Sequence, residues 1–143
     1  IVFVFFGDHK PWMGNGNSVY TEIGVDLDVS TLEGFCNYYA TPYVIYANEA
    51  ARELLGGGFA SDGGDFSPCF LMARLFDECG WEGPGLMQLQ REMREVSPLM
   101  SSNGWRMQDG QLTAALEGAA EDENERYLRA QYYIETHLKE DAS

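Results

Sequence analysis

Six consecutive apolar residues, Ile1-Val2-Phe3-Val4-Phe5-Phe6, open the chain without a polar position among them. A strand with one face in water alternates apolar and polar side chains. An unbroken run of Val, Ile and Phe therefore predicts a strand covered on both faces, as at the centre of a parallel α/β sheet. A second run, Tyr43-Val44-Ile45-Tyr46-Ala47, is entered through Thr41-Pro42, and proline is tolerated at the start of a strand. The pattern thus predicts strands over 1–6 and 42–47. The stretch between them is long enough for a helical crossover, so the two read as a parallel βαβ unit.

Within that stretch, the Gly, Asn and Pro of residues 10–17 predict a loop leaving the strand end. Ser18 is placed to cap a short helix through Val19, Tyr20 and Ile23 that ends at Gly24. Asp26 and Asp28 read as turn and cap residues, because a lone D-x-D lacks the later ligands of a calcium loop. A further short helix over Thr31 to Tyr39 would turn Phe35, Tyr38 and Tyr39 inward. After the second strand, Asn48 caps a helix over Glu49 to Leu55 that stops at Gly56-Gly57-Gly58, and a loop follows from Phe59 to Phe66.

From Ser67 the period changes from strand to helix. Ser67 and Pro68 form a cap and first-turn pair, after which Leu71, Met72, Leu75, Phe76 and Cys79 recur at three- and four-residue spacing up to Gly80. Pro84 starts another helix with Leu86, Leu89, Met93, Val96 and Met100 along one stripe. Asp109-Gly110 between short strand-like pieces predicts a small hairpin. A long acidic helix from about Leu116 to Leu138 carries Tyr127, Ala130, Ile134 and Leu138 on one side. The expected organisation is one unit over 1–143, a strand-and-loop part over 1–66 followed by a mainly helical part over 67–143.

Charge narrows the partners. Nine Lys and Arg stand against 23 Asp and Glu, a formal net charge of −14. That repels phosphate backbones and argues against nucleic acid or an anionic membrane surface. No run reaches the ~20 apolar residues of a spanning helix, and no basic-then-apolar leader opens the chain, so the piece itself is expected to be soluble. Cys36, Cys69 and Cys79 lack C-x-x-C spacing and read as small buried hydrophobes. His137 reads as a surface histidine. The chain begins inside its strongest strand without an initiator Met, which suggests a longer parent with further sheet upstream.

The chemistry is concentrated where the first strand ends. Gly7-Asp8-His9 presents a carboxylate and an imidazole at the carboxyl end of a strand, the place where open α/β sheets gather ligands. Oxygen plus nitrogen donors suit zinc or manganese better than calcium. Two donors do not close a metal shell, and the competing reading is a capping Asp beside a hydrogen-bonded His. Lys10 and Trp12 follow in the loop, with solvent exposure and core packing as their plainer roles.

Val4-Phe5-Phe6-Gly7-Asp8-His9, followed by Tyr39-Ala40-Thr41-Pro42-Tyr43-Val44-Ile45-Tyr46-Ala47-Asn48, resembles the carboxyl-terminal part of a sulfatase-like domain of the alkaline phosphatase superfamily. The narrower likeness is to the lipoteichoic acid synthase and phosphoglycerol transferase branch. Residues 17–24, Ser67 to Met72 and Cys79-Gly80-Trp81 add to it, and it thins beyond about Pro98. The resemblance implies an alkaline-phosphatase-like α/β fold of which this chain is the carboxyl-terminal fragment. It implies that Asp8 and His9 ligate a divalent metal, manganese, magnesium or zinc. It places the threonine nucleophile and the remaining ligands upstream, so that no catalytic residue lies in this fragment, which alone would be inactive. The implied substrate is an anionic phosphodiester or sulfate ester, with Lys10 and Trp12 as substrate contacts. Lys10 departs from the hydrophobic or amide residue common after that histidine, which bears on which ester is bound. The implied parent is membrane-anchored with its catalytic domain on the extracytoplasmic side. The fragment's partners would be the upstream part of the same domain or, through the exposed strand, a second copy. The alternative is a non-catalytic acidic α/β interaction domain whose Asp8 only caps a turn.

Overall fold

A computed structural model of the chain describes residues 1–56, 59 and 62–137. Among these the fold is mixed α/β, with six α-helices and two small antiparallel sheets. The chain divides into two compact units, Ile1–Leu54 and Leu55–Ser143.

In the first unit, β1 (Val2–Phe6) pairs with β2 (Tyr43–Ala47). The pairing is antiparallel, with Phe6 opposite Tyr43 and Val2 opposite Ala47. The expected parallel βαβ unit is therefore corrected. Apolar content reports how much of a strand is to be covered but carries no direction, and the connection is long enough to return to either end of β1. It returns to the end it left, where Gly7 N–H donates to the Pro42 carbonyl at 3.0 Å. The strand is also not a covered central one. Phe3 and Phe5 are 55% and 63% exposed, and they share a face with Tyr46 and Val44, which stand directly opposite them.

The connection holds α1 (Ser18–Glu22) and α2 (Leu32–Tyr39). Ser18 is the first helical residue of α1 rather than its cap, and Asn17 takes the capping position in a left-handed conformation. Its side chain is instead spent on the loop, accepting from the Met13 N–H at 3.2 Å. The start of α2 follows the turn chemistry read from the sequence. Asp28 accepts from the N–H and hydroxyl of Ser30 at 2.9 and 2.7 Å, and the Thr31 hydroxyl accepts from Gly34 N–H at 3.0 Å. The Ser30 hydroxyl holds the Asp28 carboxyl below its usual value, aided by the Ser30 N–H. Phe35 is buried as expected, whereas Tyr39 is exposed. Asn48 caps α3 (Glu49–Leu55) by accepting from Ala51 N–H at 3.0 Å. Gly57 and Gly58 lie outside the described residues.

In the second unit, Ser67 and Pro68 lead through a short 3₁₀ turn into α4 (Leu71–Glu78), followed by α5 (Gly85–Val96). Ser67 occupies the cap position, but its hydroxyl bonds elsewhere. It accepts from Met100 N–H at 2.7 Å and donates to the Met100 carbonyl at 3.2 Å, while Ser67 N–H donates to the Pro98 carbonyl at 2.8 Å. Asp77 joins α4 to α5 by accepting from the guanidinium groups of Arg91 and Arg94. The expected hairpin forms from β3 (Arg106–Gln108) and β4 (Gln111–Thr113). Its turn residues Asp109 and Gly110 both have positive φ, 51° and 75°, which is the backbone that makes Asp-Gly a hairpin signal. The last helix, α6, runs Ala119–His137, with Leu138 outside the described residues. His137 is exposed, as expected.

The core here is Phe70, Met93, Leu116, Ala120 and Tyr127, with Leu86, Leu89, Val96 and Met100 packed against it. The α5 stripe and the Tyr127 side of α6 thus meet in this core. Met72 is 48% exposed, so its place in the α4 stripe is corrected. Cys79 is buried, Cys36 half-buried and Cys69 exposed. The common buried role expected for the cysteines therefore fails at Cys69.

Tyr127 gives the second unit a signature at high pH. Burial pushes its phenol up from the ordinary tyrosine value, and the neighbouring Gln90 amide partly offsets this. The folded chain then keeps a proton that the unfolded chain releases. The stabilisation is full below about pH 10 and is lost as pH rises through the folded value. Urea midpoints of the wild-type chain should fall more steeply above about pH 10 than those of Tyr127→Phe, and parallel curves would contradict the assignment.

Candidate functional site

β1 ends at Phe6, and beyond Gly7 stand Asp8 and His9 with side chains about four-fifths exposed. Both are oriented by backbone bonds. Asp8 Oδ1 accepts from the His9 N–H at 2.9 Å, which sets the carboxylate plane. His9 Nδ1 lies 3.0 Å from the Lys10 carbonyl. A carbonyl can only accept, so Nδ1 carries a proton in that contact, and in the neutral imidazole Nε2 is then the nitrogen with the lone pair. Nε2 lies 3.7 Å from Asp8 Oδ2, too far for a hydrogen bond.

This separation bears on whether the pair fits a cation. Two ligand atoms each about 2.1 Å from one zinc stand roughly 3.4 Å apart at a tetrahedral angle. The observed gap is close to that. A free imidazole nitrogen and a carboxylate oxygen are also the donor types that zinc and manganese take. An imidazole whose other nitrogen donates to a backbone carbonyl is in the tautomer that metal-ligating histidines use. The residues present therefore fit two positions of a divalent-metal shell. Among the described residues no group of three or more His, Cys, Asp or Glu side chains is gathered to hold a metal.

The two flanking candidates are placed differently. The Lys10 ammonium donates to the Asn37 carbonyl in α2, which ties the loop after His9 to the helix. Trp12 is 68% exposed in that loop. The Tyr20 hydroxyl donates to the Pro11 carbonyl beside it, at 3.0 Å. Trp12 therefore does not fold onto the core. Trp12 is exposed, whereas the Lys10 ammonium is directed to a backbone carbonyl.

Two residues that bear on the site carry no signal of it in the sequence. Thr41 donates its hydroxyl to the Gly7 carbonyl at 2.7 Å, and Asn37 supplies the carbonyl for Lys10. Thr41-Pro42 is visible in the sequence as the entrance to β2. Its proximity to Gly7 comes only from the antiparallel register. No protein family, no curated protein and no solved structure matches this chain. No described helix is long and apolar enough to cross a membrane.

Proposed function

We propose that Asp8 and His9 are two ligands of a divalent cation in a sulfatase-like catalytic domain of which this chain is the carboxyl-terminal portion. The arrangement of the pair supports this most directly: His9 Nε2 stands 3.7 Å from an Asp8 carboxylate oxygen, while Nδ1 is turned to the Lys10 carbonyl. The resemblance of residues 4–9 and 39–48 to the phosphoglycerol transferase branch supplies the reaction class. A metal bound there would lower the pKa of an attacking hydroxyl and offset charge on the transferred phosphoryl or sulfuryl group. The contribution of this chain is to hold one anionic and one neutral donor in fixed orientation. The nucleophile and the other ligands belong to the upstream part of the domain, on the extracytoplasmic side of a membrane-anchored parent. The substrate is an anionic phosphodiester or sulfate ester, and Trp12 is placed to pack against it.

The test uses manganese on both lengths of polypeptide. In this chain, Mn²⁺ should broaden the His9 imidazole resonances at concentrations that leave His137 sharp, and Asp8→Asn should remove the difference. In the longer polypeptide, Asp8→Asn and His9→Gln should each lower manganese-dependent phosphodiester cleavage by about 100-fold or more, the scale of several kcal/mol of metal assistance. Wild-type turnover in both variants would defeat the reading.

A further inference from the structure

We infer that Thr41 is a positioning residue for the Asp8–His9 pair, acting through the peptide that joins Gly7 to Asp8. This rests on the cation reading of that pair. The Thr41 hydroxyl donates to the Gly7 carbonyl at 2.7 Å, and Gly7 N–H donates to the Pro42 carbonyl at 3.0 Å. The backbone of Gly7 is thus gripped on both its polar groups by the two residues that lead into β2. The Gly7 carbonyl lies in the same peptide plane as the Asp8 nitrogen, so fixing that oxygen fixes the direction in which Asp8 leaves the strand. The Asp8 carboxylate in turn accepts from His9 N–H at 2.9 Å, so the orientation passes to the second ligand.

Thr41 suits the task for three reasons. Its branched Cβ limits χ1, and the following proline limits its backbone to extended conformations, so the hydroxyl is aimed before the bond forms. The approach is also close. A Cβ built on Gly7 would lie 3.0 Å from Thr41 Cβ, so only glycine leaves room for the contact as it stands. Lys10 holds the opposite side of the pair by donating to the Asn37 carbonyl. Asp8 and His9 therefore stand between two tethers, one to the entrance of β2 and one to α2, although both side chains are exposed.

The test is manganese affinity of the full chain, read from broadening of the His9 imidazole, with the ¹⁵N shifts of its two nitrogens as a second readout. Thr41→Val should weaken binding by about tenfold, the lower end of what outer-shell partners of metal ligands contribute, and should shift the imidazole nitrogens. Thr41→Ser keeps the hydroxyl and should stay close to wild type. Should the valine variant fail to fold, Gly7→Ala asks the same question, because its new methyl would press on the Thr41 side chain, with Cβ 3.0 Å from Cβ. Wild-type affinity in Thr41→Val or Gly7→Ala, or an equal loss in Thr41→Ser, overturns the inference while leaving the cation reading intact. Broadening unaltered by Asp8→Asn overturns both.

Discussion

Phe70→Ala should lower the stability of the second unit by about 4 kcal/mol, within the range for removing a buried aromatic ring. Phe70 has no exposed surface, and its ring centroid lies 6.2 Å from that of Tyr127 at an interplanar angle of 48°. The loss combines three terms: the transfer of the ring to water, the cavity it leaves, and an aromatic pair worth roughly 1 kcal/mol beyond area. Collapse into the cavity is limited. Met93 and Tyr127 are themselves fully buried, and the Ser67–Met100 bonds hold the chain just before the 3₁₀ turn. A loss of that size is a large share of the ~5–15 kcal/mol by which a domain is stable. Met72→Ala, on the exposed side of the adjoining helix, should move the urea midpoint little. Equal shifts in the two variants would show that the core is not where the burial places it.

The second unit is legible in the sequence because its signals are local. The recurrence of Leu86, Leu89, Met93 and Val96 gives α5 and its buried side, and Asp109-Gly110 gives the hairpin, each from residues adjacent in the chain. The first unit is legible in its elements but not in their pairing. Strand direction is decided where Gly7 meets Thr41 and Pro42, a contact between residues far apart in sequence that no periodicity reports. The exposure of Phe3 and Phe5 likewise departs from the rule that continuous apolar runs are covered. That rule concerns a whole sheet, and β1 and β2 form a sheet of two strands. At the candidate site the ligand types are readable as a dipeptide. What orients them is not, because a backbone carbonyl for His9 and a hydroxyl for Gly7 carry no sequence signature.

The same dependence on distant backbone makes Gly34→Ala the most damaging change expected in the first unit, although alanine is the better helix former. A methyl on Gly34 would lie 2.1 Å from the Asp28 carbonyl oxygen and 2.7 Å from the Asp28 nitrogen. The three nearest atoms it meets are all backbone, so no rotamer change relieves the contact. Either the Asp26–Thr31 turn or α2 has to move. The helix-propensity gain is about 1 kcal/mol, whereas overpacking costs up to about 3 kcal/mol where the neighbours are fixed backbone, so destabilisation wins. Movement of α2 also reaches the site. The Asn37 carbonyl that holds Lys10 is in that helix, and the Lys10 carbonyl is what sets the His9 tautomer. Urea titration followed at the α2 and β2 amides should show a large fall in midpoint. Below that midpoint the His9 nitrogen shifts should move towards a mixture of tautomers. Gly85→Ala is the control, since its methyl meets nothing within 4 Å and should leave the midpoint unchanged or raise it. A Gly34→Ala chain as stable as wild type would mean that the Asp28 turn does not lie over α2, and the tether from that helix to His9 would lose its basis.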